Sequence, residues 1–514
     1  MTLSRKLYLL LLTLLAVSLT TSNFVMNLAW VLLLVLWLSD PHWHDKWARF
    51  RHNRLLQAFV VLLVVHLVAM LWSSNLAYGF RDLVAKLPFF VVPLVVLSSP
   101  PLQQRERRPV LAAYLATLFV VTVIGWVRFF SMPGLPYRDI VPYISHIRFA
   151  LNLCLAVCLV AYLLLRRRRA VWLYLLGGAY VLWMLLFLAL IQSYSAFVIL
   201  SLLVLLTLVR FSRCRVAPRL RRCLMAGVIL LYVALCVVLA SMVGDYYRLL
   251  PLSRQPLLAA TVNGNAYSHS CDGLVESGNY LNNYVCLQEL QQQWPRYSSL
   301  SLSDTVVGGY TVQSTLLRYL NAIGTTKDSV GLTLLSPADV AAIEAGVANP
   351  ICLCHLSVRR MVYTLLFEIE CYRCLGSLGA SSLLHRFALW RAGWAAFVHH
   401  PIFGVGTGDV VDVCHQQLFD SLSPLAGTAK HLHNQYLTFL LSFGLLGFGL
   451  IVFFFIRAFR PCVLSLPRLP FPLFATLLIV LVSFLSEDTL ETLAGCLFVA
   501  FFLALFYPSP SLHQ

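Results

Sequence analysis

Residues 430–455 read KHLHNQYLTFLLSFGLLGFGLIVFFF, an apolar helix whose mouth carries a lysine, two histidines and an Asn-Gln pair. A membrane boundary needs some polar residues, but it does not need His-x-His-Asn. Histidine exchanges a proton near neutral pH, so His433 has the type of a general base, with Asn434, His431 and Lys430 at hand to orient or assist it. The bland alternative is an interfacial histidine satisfied by backbone. A second group is cationic and fixed in charge: Arg386 and Arg391 in HRFALWRAGWAAFVHHPIFGVGTGD (385–409), and Arg148 in YISHIRFALNLCLA (143–156). Guanidinium forks bind phosphate bidentately, so several of them can do the work of a divalent metal. No Asp-x-Asp accompanies them, only Asp409, Asp412 and scattered acids. Neither metal nor organic cofactor is expected. Snorkelling at the membrane surface is the alternative for each arginine, as it is for Arg81 and Lys86.

The elements that must position these residues are membrane helices. The chain has 514 residues, 60% hydrophobic and 11% charged, with mean hydropathy +0.79. No soluble domain averages like that, so the expected fold class is an all-α polytopic membrane protein. Apolar runs long enough to span lie near 7–20, 23–39, 55–72, 83–98, 110–128, 147–165, 171–191, 195–209, 223–243, 433–456, 471–486 and 489–507, about twelve transmembrane helices. The net charge of +17 is concentrated in alternate connections: DKWARFRHNR, RERR, RRRR at 166–169, RFSRCRVAPRLRR and RAFRP. That is the positive-inside pattern, with anionic lipid as the partner of these runs and nucleic acid excluded. It predicts cytoplasmic termini and puts the polar mouth at 430–434 outside.

Three regions follow: 1–243 with about nine spans, a large exterior loop over 244–432, and 433–514 with about three spans. The first half of the loop is rich in Asn, Ser and Gly and reads as irregular. The second half holds two helical stretches, SVRRMVYTLLFEIECYRCL and SLLHRFALWRAGWAAFVHH. The second puts Leu384, Phe387, Trp390, Trp394 and Phe397 at three- and four-residue spacing, an amphipathic face suited to the membrane interface. Pro401 with Gly404, Gly406 and Gly408 reads as a helix stop; no strand precedes it, so it is not a nucleotide loop. Cys352, Cys354, Cys371 and Cys374 have spacing open to zinc, disulfides or plain thiols.

The Arg-x-x-x-Trp at 386–390, the His-Pro-x-x-Gly-x-Gly-x-Gly at 400–408 and the His-Asn-x-x-Leu at 433–437 leading into Gly-Leu-x-Gly resemble, in that order, the O-antigen ligase and polymerase family of bacterial envelopes. SEDTLET at 486–492 is similar to the family's C-terminal part, so the specific resemblance covers residues 383–507. It implies a multi-pass, metal-independent glycosyltransferase of the inner membrane with its active face periplasmic. The implied donor is a glycan on undecaprenyl diphosphate, and the implied acceptor is the lipid A core oligosaccharide or another glycan or protein. The resemblance makes His433 the catalytic base and Arg386 a contact to the donor diphosphate. Where the family has Ser-Arg-Gly-Ala, this chain has Ser193, Tyr194, Ser195 and Ala196. Arg148 or Arg391 is then expected to replace the missing arginine.

A polymerase of repeat units and a transferase to protein hydroxyls share these motifs and differ only in acceptor. From a different class, a lipid-linked glycan flippase would place ionisable residues inside paired spans near the midplane. Here the polar residues gather at one face.

Overall fold

The computed structural model describes residues 3–132, 135–165, 170–214, 218–270, 273–307, 309–353, 357–376, 382–420, 431–464 and 470–508. Its regular structure is helical apart from a small hairpin pairing Val275–Glu276 with Asn279–Tyr280. The chain divides into two compact units, one formed by residues 1–224 with 386–514 and one by residues 225–385.

Each apolar run expected to span is helical. Six helices among the described residues are long and apolar enough to cross a membrane: Arg54–Trp72, Gln104–Ser131, His146–Leu165, Val171–Leu190, Met225–Tyr247 and Gln435–Pro461. Asn23–Ser39 with Trp43–His52 makes a seventh if a pair bent by 115° counts as one crossing. The others fall short for local reasons. Leu493–Phe506 has 14 residues, about 21 Å of helix against about 30 Å of hydrocarbon. Leu76–Ser98 has the length, but carries Arg81, Asp82 and Lys86 and encloses Pro88 and Pro93. Length and composition therefore support six or seven crossings and leave twelve to the shorter helices.

In the first unit, Leu493–Phe506 is the innermost element, with every residue from Ala494 to Phe506 buried. A helix apolar all round belongs inside. It packs on Leu76–Ser98, while Arg54–Ala69 lies along Gln435–Leu464 and Phe471–Ser486 along His146–Leu165. These pairings bring three chain segments to one end of the bundle: the turn after Phe471–Ser486, the first turn of His146–Leu165, and the residues before Gln435.

The helix Gln435–Leu464 is interrupted at Gly444, which has φ 63° and ψ −171°. Residues 401–406 occupy the break. Val405 N–H donates to the Leu441 carbonyl (2.8 Å) and Gly406 N–H to that of Ser442 (3.0 Å), while Leu445 and Leu446 donate back to Pro401 (2.8 Å) and Ile402 (3.1 Å). Peptide groups in an apolar surround must be paired, so the break depends on this insertion. A Cβ on Gly444 would meet the Ile402 carbonyl at 2.2 Å, and one on Gly404 would meet that of Leu441 at 2.5 Å. The glycine turn is thus more than a helix stop: it locks the broken helix.

One expectation is corrected. Leu384, Phe387, Trp390, Trp394 and Phe397 do not form a single interfacial face. Phe387 and Trp394 are exposed, whereas Leu384 and Phe397 are buried. The helix Ser382–His399 packs its other side through Leu389, Ala392 and Ala396.

The second unit has its own core around Leu290, Trp294, Leu316, Tyr319 and Ile343. The stretch read as irregular, residues 253–284, begins in the last residues of the short helix Pro251–Arg254, contains the hairpin, and holds no further helix among its described residues. Ser277 and Gly278 at the hairpin tip have φ 54° and 76°, the left-handed pair that a two-residue turn requires. Glu276 is fully buried and pairs with Arg318 at 2.8 Å.

Candidate active site

Two adjacent acids, Glu487 and Asp488, organise the site from the turn that follows Phe471–Ser486. Asp488 is buried and takes the two N–H groups that immediately precede the neighbouring helix. Its carboxylate accepts from His433 N–H at 2.5 Å, Asn434 N–H at 3.1 Å and the Thr438 hydroxyl at 2.8 Å. Asn434 is the N-cap, with its Oδ1 accepting from Leu437 N–H at 3.1 Å. Its amide oxygen therefore serves the helix rather than the histidine ring.

His433 lies between the acid and that cap with φ 54°. A non-glycine residue in this region is uncommon, though histidine tolerates it better than most. Its backbone is held from both sides, by Asp488 at the N–H and by Trp390 Nε1 at the carbonyl (3.4 Å). The side chain is 44% exposed, with Nδ1 turned inward at 3.7 Å from Glu487 Oε2. That distance is an electrostatic contact, too long for a hydrogen bond. Nδ1 has no hydrogen-bond partner among the described residues. With Nδ1 buried, the exposed part of the side chain lies elsewhere on the ring.

Glu487 is 2% exposed and carries the two arginines. Arg386 Nη2 pairs with Oε1 and Arg148 Nη1 with Oε2 at 3.2 Å, while Arg148 Nη2 donates to the Asp488 carbonyl at 3.1 Å. Burial would push the Glu487 carboxyl up, but His433, Arg386 and Arg148 together hold it below the ordinary carboxylate value. Two guanidiniums thus share the Glu487 carboxylate beside an imidazole. The Arg-x-x-x-Trp spacing has a structural reason. Residues four apart share a helix face, so Arg386 reaches Glu487 while Trp390 reaches the His433 carbonyl.

The remaining candidates separate. Arg391 is exposed and makes no ion pair or side-chain hydrogen bond among the described residues. Arg148, not Arg391, joins Arg386. His431 lines a small recess with His66, Asp82, Lys86 and Glu491. Lys86 is buried there, 2.7 Å from Asp82 and 2.8 Å from Glu491, and ties down the far end of the acidic turn. Arg81 is exposed over the Tyr78 ring. Lys430, Cys354 and the side chain of Tyr194 lie outside the described residues. No three His, Cys, Asp or Glu side chains gather as a metal site among those described.

Glu487 and Asp488 were missed as functional residues. The available signal was SEDTLET itself, because three acids in seven residues between apolar runs are costly unless paired.

Fold and site together describe a helical membrane protein with several spans, in which two arginines and a histidine gather on a buried carboxylate. Residues 356–452 match the O-antigen ligase family model, so this part of the chain is similar to that family. The match holds Arg386, Trp390, the glycine turn and His433, and ends before Glu487 and Asp488. A comparison with curated proteins finds no match.

Proposed function

We propose that this chain transfers a glycan from undecaprenyl diphosphate to an acceptor hydroxyl, the lipid A core oligosaccharide foremost, at the periplasmic face of a bacterial inner membrane. The observation that carries the reading is the convergence of Arg148, Arg386 and His433 on Glu487. In the proposed reaction the acceptor oxygen bonds to the anomeric carbon, and the bond from that carbon to the phosphate oxygen breaks. The bonding pair leaves with the polyprenyl diphosphate. Arg386 and Arg148 take the charge that develops there, which is the arrangement electrostatic catalysis requires. His433 Nε2 takes the hydroxyl proton, and Glu487 stabilises the imidazolium that results, as a buried carboxylate does behind other catalytic histidines. Twelve crossings, with both termini cytoplasmic and residues 244–432 outside, are part of this proposal and supply the outward-facing mouth.

A positioned base contributes about 10²–10⁴ in rate. His433→Ala is therefore expected to express, retain donor binding and transfer almost nothing, while His431→Ala is much milder. Equal behaviour of the two variants overturns the assignment of the base. A polymerase or a protein-directed transferase would use the same residues. The glycan profile of a deletion strain separates lost attachment to lipid from lost chain length.

A further inference from the structure

The unit formed by residues 225–385 contains a cavity of about 810 Å³ that the proposed transfer does not use. It opens at the last turn of the membrane-length helix Met225–Tyr247 and reaches the hairpin turn and the start of helix Val358–Leu375. Small-ligand sites occupy about 300–1,000 Å³, so its size is that of a binding site.

Its floor is polar and internally satisfied. The Tyr363 hydroxyl donates to Glu276 Oε1 at 2.6 Å and accepts from Asn349 Nδ2 at 2.6 Å and from Ser277 Oγ at 3.2 Å. Asn349 Nδ2 also donates to Ser277 Oγ at 3.0 Å. A fully paired network of this kind is rigid, and it fixes the left-handed Ser277 against the cavity. The rim is the reverse. Asp245, Arg248 and Arg359 line it, all exposed, and none makes an ion pair or side-chain hydrogen bond among the described residues. Elsewhere in the unit the arginines Arg318 and Arg373 are neutralised by Glu276 and Glu370. Met242, Leu249, Ile351 and Val362 supply an apolar side.

We infer that this cavity binds the phosphorylated head of a membrane-anchored glycolipid. Arg248 and Arg359 grip the phosphate, Asp245 accepts sugar hydroxyls, and the apolar wall takes the beginning of the lipid. Two unpaired guanidiniums outnumber the one carboxylate, which selects an anion. The lone Asp245 distinguishes a hydroxyl-bearing head from bare phosphate. The position at the end of a membrane-length helix favours a ligand held in the bilayer over a soluble one. That such a glycolipid is the transfer acceptor rests on the function proposed above; the binding site does not.

The test is binding of lipid A to the full chain in phosphatidylcholine nanodiscs, with phosphatidylglycerol and inorganic phosphate as competitors. Each charge-assisted contact is worth about tenfold in affinity. Arg248→Ala with Arg359→Ala is expected to weaken lipid A binding about 100-fold at an unchanged thermal midpoint. Asp245→Asn should weaken lipid A but not inorganic phosphate, and His433→Ala should stop transfer while leaving binding intact. Unchanged affinity in the double arginine variant overturns the site, and so does competition by phosphatidylglycerol mole for mole. Lipid A binding that depends on the two arginines, in a protein that transfers nothing, would sink the proposed function and leave this site standing.

Discussion

Glu487→Gln probes the site most directly, because the carboxylate lies against His433 and both arginines. Glutamine keeps the shape and an oxygen acceptor but removes the charge. In the proposed transition state an imidazolium forms 3.7 Å from Glu487 Oε2. Opposite charges about 4 Å apart interact by about 4 kcal/mol at an effective dielectric of 20. The ring is 44% exposed, and solvent screening cuts this to about 2 kcal/mol, which is about 30-fold in rate. Donor binding should respond the opposite way. In the unliganded protein Glu487 occupies Arg386 and Arg148, and a diphosphate must displace it from at least one of them. The variant is therefore expected to lose kcat about 30-fold while its donor KM holds or falls. Single-turnover transfer in proteoliposomes gives the first quantity and donor titration the second. Both arginines keep some exposure, 13% and 19%, so water can reach them and folding should survive. An unchanged kcat with a raised KM would refute the reasoning, since it would make Glu487 a brace for the arginines and nothing more.

Arg386→Ala should lower transfer by about 10²–10³, as losing one preorganised electrostatic donor does elsewhere, and Arg386→Lys should recover little if the contact is bidentate; full activity in the alanine variant at normal expression returns Arg386 to a surface role. Gly444→Ala combines a left-handed backbone with a Cβ 2.2 Å from a carbonyl oxygen, so a loss of about 1–3 kcal/mol is expected, read as a lower thermal midpoint in detergent. The folded-state pKa of Glu487 is depressed, so its stabilising contribution is complete above the ordinary glutamate value of about 4.3 and is lost as pH falls through the depressed one. The midpoint difference between native protein and Glu487→Gln should accordingly shrink as pH falls below about 4. Transfer that stops in EDTA and returns with a divalent cation would contradict a diphosphate site built from arginines.

The sequence disclosed most about residues whose role follows from type and local spacing. His433 stands out because an imidazole at a span mouth has few uses, and Arg386 with Trp390 because four-residue spacing on a helix means one face. The helical nature of every apolar run was legible for the same reason, since composition and length alone decide it. Depth in the membrane was not. Leu493–Phe506 reads as a span in the sequence, yet it is buried all round from Ala494 to Phe506 and its 14 residues are too short for a full crossing. Only the packed arrangement tells an interior helix from a lipid-facing one. The choice between Arg148 and Arg391 was equally closed to the sequence, because it depends on which helix faces Glu487.

The acids show most plainly where sequence reasoning ran out. SEDTLET lies more than fifty residues beyond the His-Asn pair, and nothing local says that Asp488 will cap the helix that His433 precedes. Once it does, the left-handed backbone of His433 becomes intelligible. The residue sits outside the helix proper, its N–H pulled toward Asp488 and its carbonyl toward Trp390. The Gly444 break follows a similar logic. Residues 401–406 reach the helix that His433 precedes by exchanging four backbone hydrogen bonds with 441–446, two in each direction. The segment that carries Arg386 is thereby fixed to the segment that carries His433 at two places, Trp390 above and the glycine turn below. A distance between arginine and histidine short enough for shared chemistry is set by those two fastenings. Motifs that look independent along the chain are in this sense parts of one clamp.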